Sequence, residues 1–124
     1  MEAELDRIVE AVRRLRERVR WKPGKDVQHL AKRIALGHLS VGTTLAEYDA
    51  LILRVLNTPT AAVFAYHWGG TLYPVVVAEV DTVWWLVMLS LDGTMETAFP
   101  PEDLDMYLGD PQFHRLGILE ELER

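Results

Sequence analysis

The chain contains no cysteine among its 124 residues. Disulfides, thiolate metal sites and a cysteine nucleophile are therefore excluded, and nothing favours an oxidising compartment. Long apolar runs are also missing. The longest, Val83 to Leu89, falls far short of the roughly 20 residues that a membrane-spanning helix needs. Met1 to Asp6 carries three acids and no apolar stretch, so no secretory leader is expected. No glycine-rich loop opens a helix in a phosphate-cradling frame, because Gly69-Gly70 falls in a predicted hairpin, and nucleotide hydrolysis is disfavoured. The four histidines, His29, His38, His67 and His114, form neither an HxH nor an HExxH pattern, so no metal or other cofactor is expected. These absences predict a cytoplasmic protein with no membrane partner.

With 49% hydrophobic and 26% charged residues, the chain suits one globular domain burying a single core. Its formal net charge of -6 is unevenly spread. Met1 to Arg33 holds ten Lys or Arg against six Asp or Glu, a local balance of +4 that leaves -10 for the remainder. The acidic total argues against a general nucleic-acid binder, whose affinity comes from neutralising phosphates. The basic N-terminal third can still form a phosphate-facing patch, and its mixed charges also fit a solvated helix surface.

Leu5, Ile8, Val9, Val12, Leu15 and Val19 recur at helical spacing and predict an amphipathic helix from Ala3 to Trp21, stopped by Pro23-Gly24. A second helix is predicted from Asp26, as N-cap, to Leu36, with Val27, Leu30, Ile34 and Leu36 inward and Gly37 ending it. Thr43 or Thr44 stands at capping-box spacing before Glu47 and opens a third helix that runs to Asn57. After Pro59 the period changes to that of strands: Ala61–Tyr66, Leu72–Val80, Val83–Ser90 and Thr94–Phe99, joined by turns at His67–Gly70, Asp81-Thr82 and Leu91–Gly93. Pro74, without a ladder donor, is expected near a strand start or at an edge. Short helices are predicted over Pro101–Leu108 and Leu116–Leu122. Helices first and strands second predict an α+β fold, with N-terminal helices packed on a four-stranded antiparallel meander. Residues 1–25 form the N-terminal amphipathic helix of this single domain, and residues 26–124 its α+β core.

His29, Lys32 and Arg33 stand at i, i+3 and i+4, which places an imidazole and two cations on one helical face. Metal-independent RNA cleavage uses this mix: a base near neutral pKa takes the 2′-hydroxyl proton, and fixed cations stabilise the charged phosphorane. A polar helix surface carries such a triplet equally well. His38, past Gly37, can converge on the same face or serve as an ordinary helix-end histidine. Seven aromatics crowd the predicted sheet, and alternation forces Trp84 and Trp85 to opposite faces. An uncovered tryptophan there implies a partner surface or a homodimer.

The segment from His29 through Arg33, the helix Ala46-Glu47-Tyr48-Asp49-Ala50-Leu51-Ile52 and the end Ser90-Leu91-Asp92-Gly93-Thr94-Met95-Glu96-Thr97-Ala98-Phe99-Pro100 together resemble the barnase, EndoU, colicin and RelE-like group of nucleases. These occur among bacterial toxin domains and phage-encoded proteins. The resemblance covers roughly Asp26 to Leu108. It implies that His29 is the general base or acid, Arg33 and Lys32 the phosphate-stabilising cations, and Thr97 the polar residue of the final strand. The group commonly has a second helical histidine or a His-Gly close to the first, whereas this chain has Ile34 and Ala35 there and reaches His38 only after Gly37. RNA as substrate and an inhibitor or immunity-type protein as partner follow from the same resemblance. The alternative is a noncatalytic interaction module of the same fold, binding a protein partner or itself.

Overall fold

The computed structural model of the protein describes residues 2–124. It has an α+β architecture: α1 (Glu2–Glu17), α2 (Lys25–Ala35), α3 (Leu45–Leu56), β1 (Ala62–Trp68), β2 (Thr71–Val80), β3 (Val83–Leu89), β4 (Met95–Phe99), α4 (Leu104–Leu108), β5 (Phe113–Ile118) and α5 (Leu119–Leu122). No helix among the described residues is long and apolar enough to cross a membrane.

The sheet has five antiparallel strands in the order β4-β3-β2-β1-β5, not the expected four. The additional strand occupies residues assigned in part to a C-terminal helix. Phe113–Ile118 pairs with β1 across a bulge at Val63/Phe64, and only the single turn of α5 is helical. Gly117, at φ 145, adopts a conformation that an L side chain rarely takes. Leu119 and Glu120 then donate to the carbonyls of Ala61 and Pro59, so the chain end is held against the start of β1. Pro74 lies one residue outside the β2–β3 ladder, which begins at Val75, so its missing donor costs that ladder nothing.

Alternation gives the sheet two buried faces. Val63, Ala65, Val76, Ala78, Val80, Trp85, Val87, Leu89 and Ala98 share one apolar cluster with Ile8, Ala11, Val12 and Leu15 of α1 and Tyr48, Ile52, Val55 and Leu56 of α3. Phe64, Val75, Val77, Leu86 and Met88 form the other, packed by Phe99, Leu104, Leu108 and Phe113. The connection from β4 to β5, with α4 in it, joins the two sheet edges and covers this second face. Trp85 is 4% exposed in the first cluster, whereas Trp84 is 46% exposed, as opposite facing requires.

Two helix expectations need correction, and both changes occur beside β4. The first helix ends at Glu17, not Trp21. Arg18 forms a bend whose N–H still donates to the Arg14 carbonyl; beyond it the chain leaves the helix, Trp21 bridges to Met95 in parallel, and Met95 N–H donates to the Arg20 carbonyl at 2.8 Å. An open strand edge needs partners, and the extended segment supplies them where a longer helix would not. Extension also lets both Val19 and Trp21 pack on the core, which residues two apart on a helix cannot do. The second helix begins after Gly24, at φ 80, while Asp26 lies in its first turn and accepts from the Val27 N–H. Val27 and Leu36 are each 58% exposed, contrary to the inward stripe expected of them. The inward face carries His29, Leu30, Arg33 and Ile34, because α2 lies along β4 and α3 and not over the apolar core.

Candidate active site

α3 fixes the inner wall of the site. The Thr44 hydroxyl accepts from the Glu47 N–H and the Glu47 carboxylate accepts from the Thr44 N–H, closing a capping box that sets the helix start. Tyr48 is thereby placed fully buried, with its hydroxyl donating to the Ala98 carbonyl of β4 at 2.5 Å. Burial pushes its pKa up to about 12, so it remains a neutral donor. The adjacent Glu47 and Tyr48 thus have separate structural tasks: one caps the helix and the other satisfies an outward-facing carbonyl of the edge strand.

α2 delivers the polar side chains. His29 is half-buried, with Nδ1 3.4 Å from Thr97 Oγ1, long for a hydrogen bond, and its ring centroid 5.2 Å from that of Trp21. Trp21 is held in turn by its indole N–H, which donates to Asp49 Oδ1 at 3.0 Å. One turn further along α2, Arg33 is 4% exposed. Its guanidinium carbon lies 5.5 Å from the Phe99 ring centroid, Nη1 is 3.3 Å from His38 Nδ1, and the buried Nε has no partner. Among the described residues no carboxylate forms an ion pair with it.

Local backbone geometry explains how His38 returns to this place from beyond the helix. Gly37 N–H donates to the Ile34 carbonyl and His38 N–H to that of Arg33, the paired closure of a Schellman motif, with Gly37 at φ 78 as the left-handed residue. The reversal brings His38 back alongside Arg33. His29, Arg33, His38 and Thr97 therefore meet at the β4 edge. Lys32 is exposed on the outer side of α2 and contributes charge at a distance. His67 and His114 stack edge-on across β1 and β5, at the opposite side of the sheet.

The electrostatics favour neutral imidazoles. Burial lowers the His29 pKa below 6.5, and the charges of Arg33, Lys32 and Lys25 lower it further against an opposing pull from Glu96. Burial and Arg33 lower His38 likewise, opposed by Glu102. At neutral pH both rings can accept protons. The Thr97 hydroxyl can fix one His29 tautomer by accepting from Nδ1–H, which leaves Nε2 as the free base. No group of three or more His, Asp or Glu among the described residues is placed to hold a metal ion.

Sequence reasoning missed Trp21, Phe99 and Tyr48 as parts of this site. Trp21 follows an amphipathic pattern that predicts it as the last residue of the helix, and nothing in that spacing places it against His29. No family model, no curated protein and no solved structure matches the chain.

Proposed function

We propose that the protein is a metal-independent, RNA-cleaving, toxin-like domain whose site is built from His29, Arg33, His38 and Thr97, with Lys32 adding positive charge. The observation that carries this reading is Arg33: a guanidinium 4% exposed, flanked by two imidazoles and, among the described residues, ion-paired with no carboxylate. Burying such a charge is costly unless an anion completes it, and a phosphodiester supplies that anion. His29, neutral and oriented by Thr97, takes the proton of a 2′-hydroxyl. The freed oxygen attacks phosphorus, Arg33, held by His38, stabilises the charge gathering on the phosphorane, and the 5′-oxygen leaves with a proton from solvent. Convergence of these groups, which the nuclease resemblance implied, supports this mechanism.

Wild-type protein incubated with single-stranded or transfer RNA in excess chelator is expected to cleave it. His29→Ala is expected to slow cleavage by roughly 10² to 10⁴ while remaining folded, as loss of a general base requires. Absence of cleavage across several RNAs, or equal cleavage by His29→Ala, would favour the noncatalytic module.

A further inference from the structure

The extended segment between α1 and α2 carries a cation at every second residue. Arg18, Arg20 and Lys22 are exposed, while Val19 and Trp21 turn inward and pack against the core. Arg20 and Lys22 flank the bridged Trp21, where strand-like backbone sets them roughly 6.5 Å apart, a spacing that suits neighbouring phosphates of a stretched single strand, and Arg18 precedes them at the bend that ends α1. The three line an open cleft of about 530 Å³, with Asp26 and Asp49 among its other walls. Arg18 and Arg20 form no ion pair among the described residues, and Lys22 reaches Glu96 only at 3.6 Å. Trp21 also lines the cleft, and its ring stands 5.2 Å from that of His29, so cleft and candidate active site share a wall.

The geometry points to this row as a track that holds the phosphates of single-stranded RNA flanking the scissile bond. It rests on the reading that the His29 site cleaves RNA, and it adds the substrate form: a single strand several nucleotides long, lying along residues 18–22. Three cations lining one cleft that leads to an imidazole match a repeating polyanion better than the irregular carboxylates of an acidic protein. The three cations outnumber the cleft's two carboxylates, Asp26 and Asp49, and the Asp49 Oδ1 is turned to the Trp21 indole N–H at 3.0 Å.

The test is the double variant Arg18→Gln/Arg20→Gln in the full chain, assayed on a labelled single-stranded oligoribonucleotide. KM is expected to rise roughly tenfold with a much smaller change in kcat, and the slope of log kcat/KM against log salt to become shallower by about 1.4, two phosphates at ~0.7 each. The effect should shrink as the substrate is shortened towards a dinucleotide. Unchanged KM and salt slope would overturn the track and leave the row open to an acidic protein partner. Binding of the same oligonucleotide, followed by anisotropy in the His29→Ala background, separates this outcome from failure of the nuclease reading. If wild type cuts no RNA yet the arginine pair still sets the salt slope of binding, the track stands and the cleavage mechanism falls.

Discussion

Arg33→Met separates a functional arginine from a structural one. In the wild type, the unpartnered buried Nε costs about 1–3 kcal/mol. The guanidinium over Phe99 returns ~0.5–2 kcal/mol, and the contact with His38 about 1 kcal/mol. These contributions nearly cancel, and methionine fills a similar volume without a charge or an orphan donor. Folding stability is therefore expected to stay within about 1 kcal/mol of wild type, or to rise, whereas removing an arginine from a buried ion pair costs ~3–5 kcal/mol. Urea unfolding measures this difference directly: an unchanged m-value with a midpoint shift of less than about 1 M is the expected result. Cleavage should meanwhile fall by roughly 10² to 10³, the cost of losing one donor to a developing oxyanion. Sulfate, as a stand-in for phosphate, should stabilise the wild type more than the variant, the excess over its general salting effect reporting the site. A loss of about 3 kcal/mol, or full retention of cleavage, would show that Arg33 holds the fold together and that the anion-site reasoning is wrong.

Acidification should act on the paired imidazoles. Because His29 and His38 titrate below 6.5 in the folded protein, the unfolded chain takes up protons first as pH falls. Their contribution to stability is complete above 6.5 and declines below it until the folded values are passed; chemical denaturation of wild type against His29→Gln/His38→Gln should show the decline flattened in the double variant. The acidic limb of kcat/KM should likewise lie below pH 6.5, because burial and the neighbouring cations lower the His29 pKa. On the sheet, Trp85→Ala should cost ~3–5 kcal/mol and Trp84→Ala less than about 1.5 kcal/mol, measured by thermal unfolding, and equal costs would contradict the assigned facing.

Much of the fold was legible because its rules are local. Period 3.6 marked α1 and α3, Thr44 and Glu47 announced a capping box, and alternation separated Trp84 from Trp85. The departures all trace to tertiary pairing, which no local pattern encodes. β5 is short, bears His114 and Arg115 and depends on Gly117, so it reads weakly until β1 offers it an edge. Trp21 forms a bridge because β4 offers an open edge, and α2 turns a polar stripe inward because it lies along β4 and α3. Spacing placed His29 and Arg33 on one helical face. Only folding, however, put that face against Thr97 and Phe99 and brought His38 back over Arg33. That Arg33 forms no ion pair among the described residues is a property of the whole packing and could not be read from its neighbours in sequence.

Product-end analysis tests the central claim most directly. Wild-type protein, incubated with a defined single-stranded RNA in excess chelator, should leave 2′,3′-cyclic phosphate and 5′-hydroxyl ends, detected by mass spectrometry, and should spare a substrate whose 2′-hydroxyl is methylated at the cleavage position. Ends bearing 5′-phosphate and 3′-hydroxyl, or undiminished cleavage of the methylated strand, would contradict a 2′-hydroxyl nucleophile activated by His29.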